Sequence, residues 1–219
     1  MTTSLKDGVS VWTSGLILAT LAAICTALVA VTHHVTAIRI LANELEYLEQ
    51  SLIPVLGGIA YTNDLPGSVL IIEPPHDLPG AGPVTVYRAY SGATPVAALF
   101  VVTARDGFSG SIKILIGIDM SASVTRVRIL EHSETPGLGD LIEASKSEWI
   151  HQFENTSLSM PTRQSWSIKR DGGEFDQLTG ASITPRAIIK AIKETLLYFE
   201  THRDSIFSNT ATQPSEPTE

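Results

Sequence analysis

Three hydroxyl-bearing residues and a glycine lie close together between Asp176 and Arg186, where the sequence is Asp-Gln-Leu-Thr-Gly-Ala-Ser-Ile-Thr-Pro-Arg. A glycine lets the backbone turn tightly or approach a ligand. Proline after Thr184 is typical of the first position of a helix that has a threonine N-cap. Hydroxyl groups beside the free N–H groups of a helix N-terminus can hold a phosphate. The stretch therefore predicts a phosphate site, with hydroxyls from Thr179, Ser182 and Thr184.

A second stretch with ligand-binding character runs from His132 to Asp140 and reads His-Ser-Glu-Thr-Pro-Gly-Leu-Gly-Asp. Its proline and two glycines predict a loop. Ser182, His132 and Asp176 could also be combined as the triad of a serine hydrolase. However, Ser182 is not in the Gly-x-Ser-x-Gly elbow that such a nucleophile uses, and an aspartate before the serine does not fit that context.

Composition limits the class of protein. The 219 residues, 43% of them hydrophobic, are enough for one substantial core. A net charge of −8 argues against nucleic acid as a partner, because phosphate backbones attract basic surfaces. Cys25 is the only cysteine, so this chain alone forms no intramolecular disulfide, iron–sulfur cluster or cysteine zinc site. We predict no metal site and no catalytic side chain.

The N-terminal segment predicts a membrane anchor. After a short tail, residues 1–8, residues 9–32 are almost free of charge and exceed the about 20 apolar residues that cross a bilayer. A cleavable signal peptide is the competing interpretation, but its apolar region usually has about 7–15 residues. We therefore favour a retained transmembrane helix. Lys6, Asp7 and Arg39 leave its orientation undecided by charge counting.

Two connecting segments follow the anchor. Residues 33–53 carry apolar residues at spacings of three and four, which predicts an amphipathic helix that ends before Pro54. Its stripe consists of Ile38, Leu41, Leu45, Leu48 and Leu52. The stripe needs a partner, either this chain's own domain or a neighbouring protein of the same complex. Residues 54–83 are rich in proline and glycine and predict an irregular connector with one short strand at 69–72.

Residues 84–203 predict an α+β domain, an antiparallel sheet with flanking helices. Four β-rich runs with short connections, at 84–89, 96–102, 111–118 and 124–130, are typical of an antiparallel meander. A helical piece at 146–153 and a short strand at 166–169 follow. Apolar residues at helical spacing then predict a helix from Pro185 to about His202, packed on the sheet. The polar tail, residues 204–219, is expected to be disordered.

The stretch after Asp176 resembles the flavinylation motif of the FMN-binding domain found in the Rnf and Nqr electron-transport complexes. The family pattern is an aspartate, two variable residues, then Ser/Thr-Gly-Ala-Thr and a further hydroxyl residue. Here Thr-Gly-Ala-Ser occupies 179–182 and Thr184 follows. In the family, the last hydroxyl of the core forms a phosphoester with FMN. The resemblance therefore implies Ser182 as the attachment site, where the family usually has threonine, with Thr179 and Thr184 as alternatives.

Other stretches resemble the same family, and in its order. Residues 132–139 are similar to its His-x-Glu-Thr-Pro-Gly-Leu-Gly loop, residues 106–110 precede a strand as in the family, and residues 166–176 lead into the attachment motif. Together they cover residues 84 to about 198. The short chain and the Thr-Pro-Arg after the core are more similar to the RnfG branch of the family than to the longer NqrC branch.

A literal copy of the motif core occurs elsewhere, as Ser91-Gly92-Ala93-Thr94. It lies between two strand patterns, Arg88 stands where the aspartate is required, and no helix start follows. Serine, glycine and threonine suit a tight turn. We interpret this copy as a hairpin turn and not as an attachment site.

The resemblance implies roles for residues near the attachment site. Backbone N–H groups of Gly180, Ala181 and Ser182 would hold the esterified phosphate. Lys169 could supply a positive charge to the phosphate or to the reduced flavin, or be a solvated lysine. Asp176 would be read by a flavin transferase that installs FMN from FAD, or would stabilise a turn.

The loop after His132 is implied to face the flavin. Its glycines would let the backbone approach the isoalloxazine ring. Glu134 and His132 are expected to hydrogen-bond within the loop rather than to transfer protons. The candidate cofactor-binding residues of the loop are Glu134, Thr135, Pro136, Gly137, Leu138 and Gly139.

The function implied by the resemblance is electron relay through covalently bound FMN, in a membrane complex that couples electron transfer between ferredoxin and NAD to Na⁺ or H⁺ translocation. The implied partners are the other subunits of an Rnf-type complex and the flavin transferase. The domain would lie on the periplasmic side of the inner membrane, behind a single span. Two alternatives stay open: an NqrC-like component of a Na⁺-translocating NADH:quinone oxidoreductase, and a flavin-free assembly protein.

Overall fold

A computed structural model describes residues 4–208, with side chains at 12–30, 32 and 50–208. The chain divides into two units, Met1–Tyr47 and Leu48–Glu219. Helix α1, Ser4–Val55, begins in the first unit and ends in the second. Its segment Trp12–Ala30, 19 residues, is long and apolar enough to cross a membrane, and it is the one such segment in the described part of the chain. The apolar helix predicted at residues 9–32 is confirmed.

The end of helix α1 differs from the prediction in one respect. The helix continues through Pro54 to Val55, because a proline in the last turn costs only one backbone hydrogen bond before the helix stops. Most of the predicted apolar stripe lies outside the described side chains. Its last member, Leu52, is fully buried within the second unit, so there the partner of the stripe is the chain's own domain.

The sheet is the predicted antiparallel meander. Its strands are β1 Val69–Ile72, β2 Val84–Ser91, β3 Thr94–Ala104, β4 Ile112–Asp119 and β5 Val124–Glu131. They lie in chain order, and each pairs antiparallel with the next. The short strand predicted at 69–72 is the first of them. The β2–β3 turn contains the motif copy at 91–94, so the hairpin interpretation is confirmed.

Both faces of the sheet are covered, and β4 shows how. Ile114 and Ile116 point to one face, whereas Leu115 between them points to the other. Helix α2, Ile183–Ser208, packs on the first face across β3 and β4. Its Phe199 meets Phe100 edge-on at 6.1 Å between ring centroids. The folded unit therefore has two apolar clusters separated by the sheet.

The opposite face is covered by the end of helix α1 and the residues after it. Leu52, Val55 and Leu56 are buried against this face with Leu99 and Leu115. The hydroxyl of Thr125 on β5 donates to the carbonyl oxygen of Val55. The compact unit therefore begins at Leu48 and not at residue 84, and the proline-rich segment 54–83 belongs to it.

Helix α2 is longer than predicted at both ends. It begins at Ile183, so Thr184 lies inside the first turn and is not the N-cap. It ends at Ser208, because apolar packing continues beyond His202: Ile206 is buried, and its carbonyl oxygen accepts a hydrogen bond from Arg88 Nη1. Residues 204–208 are thus helical, and the rest of the predicted tail, 209–219, lies outside the described residues.

The segment between β5 and α2 forms short helical turns instead of the predicted helix and strand. A 3₁₀ helix at Trp149–Phe153 occupies the end of the segment predicted at 146–153. Trp166 and Ile168 are buried alternately, as in a strand, but Ile168 makes only a single bridge to Phe175. A 3₁₀ turn begins at Lys169 and ends at Gly172 with φ +83°. That turn reverses the chain before a ladder can form.

Candidate functional site

The two predicted stretches meet, and a third loop joins them. Residues 105–110 lie before β4, residues 132–140 lie after β5, and residues 178–184 lead into α2. Glu134, only 5% exposed, lies between all three. Its Oε1 accepts the backbone N–H of Ser109 at 3.1 Å, and its Oε2 accepts the hydroxyl of Thr184 at 2.7 Å. The Glu134 carboxylate thus ties the loops to one another from inside the protein.

The loop after Glu134 is a tight turn held by its own backbone. The carbonyl oxygen of Thr135 accepts the N–H groups of Leu138 at 3.2 Å and of Gly139 at 3.1 Å. A Cβ at Gly139 would lie 2.7 Å from Glu134 Oε2, so a glycine is required there. The side chains of Pro136 and Leu138 remain exposed. The turn therefore presents a backbone surface together with the side chains of Pro136 and Leu138 to solvent.

The loop contacts the attachment stretch directly. Gly180 has φ +83°, and a Cβ there would lie 3.1 Å from Leu138 Cδ2. The N–H of Ala181 donates to the carbonyl oxygen of Leu178 at 3.1 Å, which closes a turn immediately before Ser182. The two stretches were predicted separately from their sequences, and the structure brings them into contact.

Ser182 is the residue that directly precedes helix α2, and it is partly exposed. The first N–H groups of an α-helix have no acceptor within the helix, and they carry a partial positive charge. A phosphate on the Ser182 hydroxyl would lie at this helix start. The helix start predicted from sequence is thus present, displaced so that Ser182 takes the flanking position.

The other two hydroxyls of the stretch differ from Ser182. Thr184 is fully buried, and its hydroxyl donates to Glu134, so an ester on it would have to displace an internal hydrogen bond. Thr179 is exposed but lies before the Gly180 turn and is not adjacent to the helix. The geometry therefore favours Ser182 among the three candidates.

Lys169 and Asp176 form an ion pair with each other. Lys169 Nζ lies 2.6 Å from Asp176 Oδ1, and both side chains are more than half exposed. The backbone of Asp176 is fixed at both polar groups, since its carbonyl oxygen accepts Trp149 Nε1 at 2.6 Å and its N–H donates to Gln152 Oε1 at 2.7 Å. The aspartate side chain is thus presented to solvent from a rigid backbone.

A second ion pair lies at the N-terminal end of helix α2. Arg186, one turn into α2, contacts Asp171 with two nitrogens at 2.6 and 2.9 Å. The guanidinium group holds the pKa of the Asp171 carboxyl below its usual range. This bidentate pair joins the start of α2 to the 3₁₀ turn that precedes the attachment stretch.

Each of the three loops also presents one exposed apolar side chain. These are Phe108 at 67%, Leu138 at 43% and Ile183 at 46% exposure. Leu138 was among the predicted ligands, whereas Phe108 and Ile183 were not. The available signal for Phe108 was an aromatic residue in a glycine-rich loop. Exposed apolar side chains on three loops that meet suit a ligand with a flat, largely apolar ring system.

A charged cluster supports the loop from behind. Lys146 Nζ lies 2.9 Å from Asp140 Oδ2 and 2.6 Å from Glu143 Oε1. Hydrogen bonding to Lys146 lowers the pKa of both carboxyls, and hydrogen bonding to Glu143 and Asp140 raises the pKa of Lys146. His132 Nε2 reaches the same Glu143 oxygen at 2.9 Å. The cluster therefore holds the segment after the loop in place.

The hydrolase interpretation is not supported by this arrangement. Both ring nitrogens of His132 are engaged, one by the N–H of Glu134 and one by Glu143. Asp176 is engaged by Lys169. Ser182, His132 and Asp176 therefore do not form a triad, because neither partner is directed at the serine.

The fold is an α+β domain in which three loops meet at the start of helix α2. Two family models match the chain: "FMN-binding domain" over residues 107–197 and "RnfG N-terminal region" over residues 1–55. The first includes Phe108, the 132–139 loop and the attachment stretch. The class is therefore that of the FMN-binding flavoproteins, and FMN is the cofactor.

Relatives of this chain are named as the G component of an ion-translocating oxidoreductase complex. One from Pseudoalteromonas atlantica is 38% identical over 89% of this chain and 91% of its own length. Relatives from Shewanella amazonensis and Photorhabdus laumondii are 39% and 42% identical, over 91% and 85% of this chain and 93% and 89% of their own lengths. The chain belongs to this family, the RnfG family of the ion-translocating oxidoreductase complex. The RnfG interpretation is confirmed, and it is better supported than the NqrC alternative.

A solved structure with some likeness is that of Shewanella oneidensis NqrC. It is 15% identical to this chain, covers 71% of it and 81% of its own length, and superposes with a TM-score of 0.45.

Proposed function

We propose that this protein relays electrons through FMN esterified to Ser182, as a membrane-anchored component of an Rnf-type ion-translocating complex. The observation that carries the proposal is the position of Ser182. Its hydroxyl directly precedes α2, next to the Gly180 turn that contacts Leu138. The neighbouring Thr184 hydroxyl is committed to Glu134.

The residues present fit FMN. The helix start would receive the phosphate, and the exposed turns at Gly180 and Gly137 leave room for close approach. Phe108, Leu138 and Ile183 would provide apolar contact. The flavin supplies the redox chemistry, whereas the protein orients it and adjusts its potential. An ester bond suits a relay, because a carrier that passes electrons to neighbouring proteins must not dissociate.

Attachment requires a flavin transferase that uses FAD, and we propose that Asp176 is one of the residues it reads. The Asp176 carboxylate is exposed, paired with Lys169, and held on a backbone fixed by Trp149 and Gln152. Asp176→Ala is expected to abolish incorporation of flavin while leaving the fold intact. Lys169→Ala should reduce incorporation less, because the carboxylate remains.

The membrane segment and the domain lie on different parts of the chain, and we propose that the domain faces the periplasm. Trp12–Ala30 provides the single span of the described chain. A Ser159→Cys variant would place a thiol at an exposed position of the domain. Labelling of this thiol by a membrane-impermeant maleimide in cells with an intact inner membrane supports the topology. Protection until the inner membrane is lysed would contradict it.

The main test is the intact mass of the chain with peptide mapping, isolated from its native membrane. The expected result is an increment of one FMN minus water on the peptide that contains Ser182. Ser182→Ala should remove both the increment and the yellow fluorescence of the denatured band. Thr94→Ala and Thr179→Ala are matched controls that should keep both.

Two results would redirect the proposal. An FMN increment that persists in Ser182→Ala and maps to Thr179 would move the attachment site. A native chain of unmodified mass, in cells whose flavin transferase is active on other proteins, would instead favour the flavin-free assembly role.

A further inference from the structure

His132 has one defined tautomer in this structure. Its Nδ1 lies 3.1 Å from the backbone nitrogen of Glu134, which always carries a hydrogen. Nδ1 must therefore be the acceptor and carry no proton. Nε2 then carries the proton and donates it to Glu143 Oε1 at 2.9 Å. The ring is only 13% exposed, so the protein and not water determines this choice.

The hydrogen bond to Nδ1 fixes the backbone of Glu134, the residue whose carboxylate joins the loops of the site. The Glu134 N–H is held by His132, while the Glu134 carboxylate holds Ser109 and Thr184. The flavin-facing turn begins immediately afterwards, at Thr135. Any change at Nδ1 therefore reaches all three loops of the site through one residue.

We propose that His132 is a positioning residue: its unprotonated Nδ1 holds the 134–139 loop in place, and its protonation loosens the loop. A proton on Nδ1 would set two N–H donors against each other and remove the acceptor of the Glu134 N–H. The proposal rests on the proposed function only for the statement that this loop faces the flavin. The contact itself is a property of the chain without flavin.

The charged groups around the His132 ring do not provide another acceptor for the Glu134 N–H. The Glu143 carboxylate accepts a hydrogen bond from Nε2 whether the ring is neutral or charged, so its negative charge faces Nε2 and supplies no acceptor for the Glu134 N–H. Lys146 binds the same Glu143 oxygen and also Asp140, which offsets part of that negative charge. The Glu134 carboxylate is turned away toward Ser109 and Thr184. Among these groups, only Nδ1 can therefore serve the Glu134 N–H.

The test is hydrogen exchange, measured by mass spectrometry on the full-length chain in detergent, purified without a flavin transferase. Protection of the peptide that covers 133–142, corrected for the intrinsic rate at each pH, should fall about fivefold between pH 8 and pH 5, since one hydrogen bond is lost. Peptides of β3 and β4 should keep their protection and thus show that the fold is intact.

Two variants distinguish the roles of the two ring nitrogens of His132. In His132→Asn, the side-chain oxygen replaces Nδ1 as an acceptor but cannot be protonated, so protection should stay high at both pH values. In His132→Gln, the amide reaches the Nε2 position and leaves the Glu134 N–H without its acceptor, so protection should be low at both. The proposal is overturned if both variants behave alike, or if the wild-type loop keeps its protection at pH 5.

A second readout uses the flavinylated chain. Fluorescence anisotropy of the flavin should fall between pH 8 and pH 5 in the wild type and stay constant in His132→Asn. Failure of flavin attachment would refute the proposed function but leave the exchange result unaffected. A pH-dependent loop with unchanged anisotropy would instead show that His132 does not position the flavin.

Discussion

Glu134 acts on the site from within the protein. A buried carboxylate is costly unless donors surround it, and here a backbone N–H and a threonine hydroxyl do so. Because both oxygens are occupied, we propose that Glu134 positions the loops instead of contacting the flavin. Thr184 has the matching role on the helix side, which explains why a hydroxyl two residues from Ser182 is fully buried.

At this scale we predict that Thr184→Val destabilises the domain by about 2 kcal/mol, because it leaves one oxygen of a buried carboxylate without its donor. Valine preserves the shape of threonine, so packing contributes little to the change. Denaturant unfolding, followed by tryptophan fluorescence, measures it. Thr179→Val, at an exposed position, should change the free energy of unfolding by less than about 0.5 kcal/mol. Equal effects of the two substitutions would contradict the assigned role of Thr184.

Ser182 was predicted as the attachment site from local sequence, but its surroundings could not be predicted in that way. Residues 176–186 contain the hydroxyls, the glycine and the helix start within a few positions, so a local pattern was sufficient. The Glu134–Thr184 hydrogen bond joins residues 50 positions apart, and the Ser109–Glu134 bond joins residues 25 apart. Nothing local in either stretch shows which side chains lie inside. Thr184 was consequently predicted as an N-cap and an alternative ester site.

At the scale of elements, two helices close the sheet from opposite sides. Helix α2 covers the face that contains Phe100, and the last turn of α1 covers the face that contains Leu99. Gly117 shows how closely α1 approaches, since a Cβ there would lie 2.6 Å from the carbonyl oxygen of Val55. The end of the anchor helix is thus an integral part of the domain core.

Leu52→Ala is therefore expected to reduce the free energy of unfolding of the domain by about 2–5 kcal/mol, the cost of a cavity at a fully buried leucine. Ile53→Ala is the control, because Ile53 is 53% exposed. It should cost less than about 0.5 kcal/mol. Denaturant midpoints of the two variants in the same detergent give the comparison. A small effect at Leu52 would mean that the helix end is dispensable for the core.

The segment after the 132–139 loop contributes to the stability of the domain in a pH-dependent way. Lys146 lowers the pKa of Asp140 and Glu143, so their stabilisation is present above their ordinary values, about pH 4, and is lost as pH falls through the lowered ones. Lys146→Met should lower the denaturant midpoint at pH 7. The difference from wild type should be smaller at pH 3 than at pH 7, because the carboxyls take up protons as pH falls.

The comparison for this prediction is Lys113→Met, which removes an exposed lysine from β4. It should leave the midpoint unchanged at both pH values. A Lys146→Met deficit of equal size at pH 7 and pH 3 would assign the effect to lost packing of the lysine stem and not to charge.

The meander could be predicted from sequence, whereas the segment between β5 and α2 could not. Runs of β-branched residues separated by short turns determine strands and their antiparallel order locally. Residues 166–169 have the same alternation, but the bridge partner of Ile168 is Phe175, just beyond the 3₁₀ turn Lys169–Asp171. Only the chain reversal at that turn decides between a strand and a 3₁₀ turn. The inclusion of 54–83 in the core depends on the pairing of β1 with β2, which composition does not show.

At the scale of the whole molecule, the chain combines an apolar helical segment with a domain that has two packed clusters. The described side chains of Trp12–Ala30 are all exposed, which suits lipid as their surroundings. Membrane attachment and flavin chemistry are therefore carried by different parts of one chain, as expected for a component of a membrane complex.

Replacing both Leu18 and Leu21 with arginine should move the protein from the membrane to the soluble fraction. Each arginine near the centre of a span costs about 3 kcal/mol of insertion free energy. Resistance to alkaline carbonate extraction measures integration. The matched variant Leu18→Val with Leu21→Val should remain resistant, and extraction of that variant as well would argue against a simple transmembrane anchor.

The order of elements along the chain has a consequence for the stage of folding at which flavin can be attached. The strands pair with their neighbours in sequence, so the sheet can form as the chain is made. Helix α2 comes last, and only its arrival places Ser182 beside the 132–139 loop and Thr184 on Glu134. A transferase that requires this folded setting could modify only finished molecules. Flavin on the chain would then be a mark of completed folding, and a molecule that misfolds at any strand would stay colourless.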